Sequence, residues 1–352
     1  MINSAIRGLS GHASLRLALV AVSVLWLAIG VILLLSIAGT AWAADAHRSL
    51  LAARSLRDGT FGTVEGYLYS PLAAALTIPA LVLPEGVAVA GWLLLKVIVL
   101  LVGTLVVTRG LERVDRLLAV AAAIAFLPIL YDLELGNVTV LIAAAIALVA
   151  WMPDRVTAGI PLGIVLATAP KPQLIPVLLW MALFRRRALA GALGAAGLGT
   201  LVALVIVGLG PYEAWVAVLR VPPDLTRGNF SLTGLPALVA IPTAFAVVAG
   251  TLVALRRGPE PGLVAALACG LLVAPYTILY AAGVMLVSAP SLARAAPRST
   301  LALALLAPVA LVVAFPLWVG SVGLLALAIP RERWSGFALR VSVAPPQATA
   351  MP

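Results

Sequence analysis

Asp45-Ala46-His47-Arg48 brings a carboxylate, an imidazole and a guanidinium within four positions, in a chain with only 13 Asp and Glu among 352 residues. A general base needs a fixed carboxylate beside the acceptor hydroxyl, and a phosphate leaving group needs a cation nearby. This stretch supplies both. It follows the first long apolar run, 17–38, where lipid would meet water. Two structural roles compete for Asp45: N-capping a helix over 46–57, or pairing with Arg48 at i,i+3.

Further polar breaks carry candidates of the same kind. Tyr67-Leu68-Tyr69-Ser70-Pro71-Leu72 enters an apolar segment, with Pro71 suited to a first helical turn and both tyrosines suited to the interface. Asp132-Leu133-Glu134-Leu135-Gly136-Asn137-Val138-Thr139 opens another apolar run, where Asn137 and Thr139 either face inward or cap. In Pro170-Lys171-Pro172-Gln173, Lys171 either binds phosphate or, the reading favoured here, snorkels to the cytoplasmic surface. Arg220 and the run Arg227-Gly228-Asn229-Phe230-Ser231-Leu232-Thr233-Gly234 offer cations, amides and hydroxyls, as sugar or phosphate ligands or equally as a capped turn. Lys96 is an intramembrane cation, which marks function or snorkelling. Glu112, Asp115, Asp154, Glu260 and Glu332 sit beside arginines in tight turns and read as solvated partners.

The elements that position these residues are read from composition. The chain is 63% hydrophobic and 10% charged, whereas soluble domains carry roughly 25% charge. Long runs nearly free of charge recur from end to end, which defines an all-α polytopic membrane protein. About twelve helices are expected in a single domain over 1–330, followed by a polar, Pro/Ala-rich tail over 331–352 expected to be disordered and cytoplasmic. Several apolar segments, among them 70–83, 157–169 and 173–184, are short and contain proline. At about 1.5 Å per residue they cannot all cross a core of about 30 Å, so some are predicted to be re-entrant or half-spanning. The stretches 45–57 and 212–220 read as interfacial helices. The run 17–38 exceeds a signal-peptide core and reads as a retained anchor, although Ala41-Trp42-Ala43 resembles a cleavage site.

Net charge is +10. The arginines stand in short groups at segment ends (Arg7/Arg16, Arg155, Arg185-Arg186-Arg187, Arg256-Arg257, Arg294/Arg298, Arg331/Arg333), a positive-inside pattern rather than a nucleic-acid surface. They place the amino terminus in the cytoplasm and the loops 39–68 and 210–234 outside. Strict alternation from Asp45 would put Arg109, Arg113 and Arg116 outside as well, and the parity stays open. One cysteine and two histidines give no thiolate or histidine-rich metal site, and no cofactor is expected.

Five pieces, in order, resemble the polyprenyl-phosphate-sugar-dependent mannosyltransferases of glycosyltransferase family 87, membrane enzymes of the GT-C fold. They are Asp45 with Ala52-Ala53 and Gly59; Tyr69-Ser70-Pro71-Leu72; Gly136-Asn137-Val138; Lys171-Pro172-Gln173 followed by Arg185-Arg186-Arg187; and Gly228-Asn229-Phe230-Ser231-Leu232. The resemblance covers roughly 39–290. It implies that Asp45 is the catalytic base and deprotonates an acceptor hydroxyl, which attacks the anomeric carbon of a polyprenyl-phosphate sugar with inversion. His47, Arg48, Tyr69, Asn137, Lys171, Arg220, Arg227 and Asn229 become candidates for holding the donor's phosphate or sugar. The implied partners are that donor, a lipid or glycan acceptor of the cell envelope, and the bilayer of the plasma membrane. Two departures stand out: Ala46 replaces the aromatic common after the Asp, and Ala274-Pro275-Tyr276-Thr277-Ile278-Leu279-Tyr280 lacks the family's frequent His or Asp. A transporter or lipid-handling scaffold is the alternative, motivated by the proline-broken short segments.

Overall fold

The computed structural model describes residues 43–110, 113–220 and 229–334, with residues 17, 20–21, 23–29 and 32 of the first apolar run. Arg7, Arg16, Arg227 and most of the tail lie outside the described residues. No strand occurs among those described, so the protein is all-helical.

Helix α1 (Ala44–Arg57) follows Ala43, which adopts φ 52°, ψ 31° and is the one non-glycine at positive φ among the described residues. The Ala43 N–H donates to the Glu134 carbonyl at 2.7 Å. Asp45 therefore stands in the first turn of α1 and does not cap it, and the pairing with Arg48 is the structural role that remains.

Residues 70–83 fold back along α1 as α2 (Pro71–Thr77) and a 3₁₀ turn (Ile78–Val82). At their start the Ser70 N–H and Oγ–H donate to the Thr168 and Ala167 carbonyls at 2.9 and 2.6 Å. At their end Glu85 accepts from His47 at 2.6 Å and from Arg54 at 2.9 Å, both on α1. Both termini lie at one end of the bundle, so this apolar segment does not cross it. Helix α3 (Glu85–Thr108) is the first crossing after Asp45, and it delivers Arg109 to Met152 at the opposite end (Nη1 to Sδ, 3.6 Å).

The chain returns through α4 (Arg113–Ala125) and α5 (Leu127–Leu135), bent by 57° at Phe126. Helices α6 (Thr139–Trp151), α7 (Val156–Thr168), α8 (Ile175–Phe184) and α9 (Arg186–Val207) then run back and forth between the same two ends. At the arginine end Asp154 accepts the Ala188 N–H at 2.9 Å and Arg185 donates to the Ala150 carbonyl at 2.8 Å. Helix α10 (Gly210–Arg220) lies at the Asp45 end, where Trp215 donates to the Leu68 carbonyl at 3.1 Å. Next come α11 (Ala237–Arg257), α12 (Pro259–Val273), a 3₁₀ segment (Leu279–Val287), α13 (Ala289–Ala295), α14 (Pro297–Val313), α15 (Phe315–Ala328) and the single turn α16 (Arg331–Trp334). In the first apolar run, Trp26 is buried, stacks on Phe126 at 4.6 Å and donates to the Ala304 carbonyl.

Among the described residues three helices, α3, α9 and α11, are long and apolar enough to cross a membrane, or four if the bent α4/α5 pair is a single span. The thirteen-residue helices α6 and α7 measure only about 20 Å, so the expected total of about twelve spans is not reached by length. They sit among other helices, where a short apolar helix is tolerated. The long helices turn apolar side chains outward, Leu94, Ile98 and Leu105 on α3 and Leu238, Ile241 and Phe245 on α11, as contact with lipid requires. Helix α12 is buried on every side from Pro261 to Leu272 and forms the axis of the bundle.

Helices α7 and α9 approach until backbone meets backbone. A Cβ at Gly159 would run into the Ala188 carbonyl oxygen, and one at Gly163 into that of Ala192. Gly159 and Gly163 are one turn apart, the small-xxx-small arrangement that lets membrane helices touch. Gly159→Ala is expected to destabilise the protein by about 1–3 kcal/mol through overpacking, seen as a lower thermal midpoint in detergent. An unchanged midpoint would mean that the helices separate freely.

Candidate active site

A cavity of about 290 Å³ opens among α1, the turn before α2, the turn before α6, the α7–α8 connection and the segment after α12. Asp45, Arg48, Tyr69, Asn137, Lys171, Gln173, Tyr276 and Tyr280 form its polar lining, and Ile142, Ile146, Val177, Leu267, Leu271 and Val284 its apolar walls. Apolar walls lower the local dielectric and strengthen the charges inside.

Asp45 is held at both oxygens. Oδ1 accepts from Arg48 Nη1 at 3.0 Å, Oδ2 accepts from Asn137 Nδ2 at 2.5 Å, and the side chain keeps 17% exposure. A carboxylate fixed this way has a defined direction and still reaches incoming substrate. Asn137 gets there because α5 ends on Gly136 in the left-handed region (φ 71°), where the turn presses against the first turn of α1. A Cβ built on Gly136 would lie 2.9 Å from Ala46 Cβ, so only glycine permits this approach.

Lys171 does not snorkel. Its ammonium points into the cavity, 5.6 Å from the Tyr69 ring centre and 5.7 Å from that of Tyr280. No carboxylate lies within ion-pairing distance of it among the described residues. Burial pulls its pKa below the ordinary lysine range, and the charges of Asp45 and Asp132 oppose that pull. A half-buried cation between two ring faces, without an anionic partner, is suited to an anionic ligand.

The structure thus gathers five of the sequence candidates, Asp45, Arg48, Tyr69, Asn137 and Lys171, around one space. Others lie elsewhere. His47 faces Glu85 on the outer side of α1. Arg220 ends α10 and does not line the cavity. Asn229 is a strut: its Oδ1 accepts the N–H of Ser231 and of Thr277 at 3.0 and 3.1 Å, which fixes the backbone beside Tyr276. Tyr276, Tyr280 and Gln173 line the cavity without having been assigned a role from sequence. A signal for the tyrosines existed, since five of the chain's six (Tyr67, Tyr69, Tyr131, Tyr276, Tyr280) border the polar breaks that meet here. Among the described residues no group of three or more His, Cys, Asp or Glu could hold a metal ion.

Fold and site together define a helical membrane protein with a cavity, at one end of its bundle, lined by a carboxylate and a lysine ammonium. The model of glycosyltransferase family 87 matches residues 67–316, and the chain belongs to that family. It is accordingly a membrane glycosyltransferase, acting with a sugar donor, an acceptor and a lipid bilayer. Asp45 precedes the matched stretch, and the cavity joins it to Tyr69, Asn137 and Lys171 within it. Searches of the curated proteins and of the solved structures returned no match.

Proposed function

We propose that the protein is an inverting transferase of the GT-C type. In this reading it moves a sugar, mannose in the first instance, from a polyprenyl-phosphate donor to a hydroxyl of a cell-envelope glycolipid or glycan. The site faces the extracytoplasmic side of the plasma membrane, opposite the end that gathers the arginines. The observation that carries the proposal is the placement of the Asp45 carboxylate and the unpaired Lys171 ammonium on one cavity.

The acceptor hydroxyl gives its proton to Asp45 as its oxygen bonds to the anomeric carbon, and the bond from that carbon to the phosphate oxygen breaks with inversion. Lys171 and Arg48 take up the charge on the departing polyprenyl phosphate. Asn137 holds Asp45 in line. Tyr69 and Tyr280 offer ring faces and hydroxyls to the sugar.

The test is transfer of labelled mannose in membranes that contain the protein. Label is expected to pass to lipid or glycan from polyprenyl-phosphate mannose and not from a nucleotide-mannose when synthesis of the lipid donor is blocked. Transfer directly from the nucleotide sugar overturns the choice of donor. Movement of the lipid sugar across the bilayer without a new glycosidic bond supports the transporter reading instead.

A further inference from the structure

The bundle interior holds an ion pair that the proposed chemistry does not use. Lys96 on α3 and Asp132 on α5 are both 0% exposed, with Nζ and Oδ2 2.7 Å apart, and neither lines the cavity. A buried ion pair is weak evidence for stability, because desolvation offsets much of the attraction. Its placement calls for another role.

We propose that Lys96 is a positioning residue for sugar transfer, holding Asn137 against Asp45 through Asp132 and the 132–137 turn, an inference that rests on Asp45 being the base. Each hydrogen bond that carries this proposal ends on that turn. Lys96 Nζ donates to the Asp132 carbonyl at 2.5 Å as well as meeting its carboxylate. Trp92, one helical turn earlier on α3, donates from Nε1 to the Gly136 carbonyl at 2.7 Å. Two side chains of one rigid helix therefore grip both ends of a single turn. Asp132 is also the hub of the turn. Its carbonyl accepts the Asn137 N–H at 3.1 Å, and its Oδ1 accepts the Thr139 N–H at 2.9 Å, where α6 begins. From there Asn137 reaches Asp45 at 2.5 Å. The path from Lys96 to the proposed base is three contacts long, and each of them has an end on the same six-residue turn. Removing the cation leaves Asp132 buried and uncompensated, so the turn must relax toward water and carry Asn137 with it.

The experiment measures kcat and donor KM on detergent-purified protein, with gel filtration and a thermal midpoint reporting the folded fraction. Lys96→Met is expected to lower kcat per folded molecule about 10- to 100-fold, the usual effect of displacing a reacting group by about 1 Å. Donor KM should stay within about twofold. Should Lys96→Met not fold, Lys96→Met with Asp132→Asn replaces it, since that pair leaves no buried charge and still lacks the grip on the turn. A double-mutant cycle with Asp45→Asn then separates the two ideas. If Lys96 acts through the base, adding Lys96→Met to Asp45→Asn lowers the residual rate by no more than about twofold. Additive losses overturn the role of Lys96 alone, as does a rise in donor KM at unchanged kcat, or a loss that only follows the folded fraction. Full turnover by Asp45→Asn on its own removes the base, and the inference built on it falls too.

Discussion

Asp45→Asn is expected to lower sugar transfer at saturating donor about 10³-fold, within the range ascribed to a positioned general base, while the protein inserts and folds as before. The substitution keeps the size and planarity of the side chain. Its amide oxygen still accepts from Arg48, while its new NH2 faces the Asn137 amide nitrogen, whose own oxygen is held by the Val138 N–H at 2.7 Å, so the site loses its basicity and one hydrogen bond. The loss should therefore fall on kcat, with donor KM nearly unchanged. Asp45→Glu retains a carboxylate but pushes it further into the cavity, past the reach of Asn137, and should give an intermediate rate. The measurement is initial-rate transfer of labelled sugar, normalised to folded protein. Turnover by Asp45→Asn within about tenfold of the unaltered enzyme would remove Asp45 from the base role.

Lys171→Met is expected to cut kcat/KM for the donor by about 10- to 100-fold, the worth of one hydrogen bond to a charged group. Here the change should be carried chiefly by KM. Burial holds the Lys171 ammonium below the ordinary lysine range, even with Asp45 and Asp132 drawing it back up. The cation is thus fully present at low pH and is lost as pH rises through the depressed value, before an exposed lysine would lose its proton. Donor kcat/KM should fall on the alkaline side for this reason. Lys171→Arg keeps its charge throughout that range and should flatten the alkaline fall, at the expense of a poorer fit between the Tyr69 and Tyr280 rings. An alkaline limb that survives in Lys171→Arg would assign it to another group.

Much of the site is visible in the sequence because its residues stand in polar breaks between apolar runs. Asp45, Tyr69, Asn137 and Lys171 each occupy such a break, and the breaks meet because the helices between them run from one end of the bundle to the other. What sequence could not supply was the end at which each break lies. Strict alternation, which counts 70–83 as a crossing, left the parity of the following helices open. Only the contacts of Ser70 with Thr168 and of Glu85 with His47 and Arg54 show that it folds back. The direction of Lys171 was misjudged for a related reason, since its short hairpin looks the same from either end. His47 stood beside the right carboxylate, yet the opposite face of α1 gives it to Glu85, a partner set by tertiary folding. The burial of Lys96 against Asp132 was equally out of reach, because nothing local distinguishes a paired intramembrane lysine from one that snorkels.

Ala46 and Gly136 lie ninety positions apart in the chain and form one steric unit beside the site. Ala46 is buried and its methyl group fills the space that a side chain at 136 would need. The two positions are thus sterically coupled: a larger side chain at 46 must displace the turn that carries Asn137. Ala46 and Gly136 are therefore the two halves of one close approach, and the direction of the Asp45 carboxylate depends on both staying small.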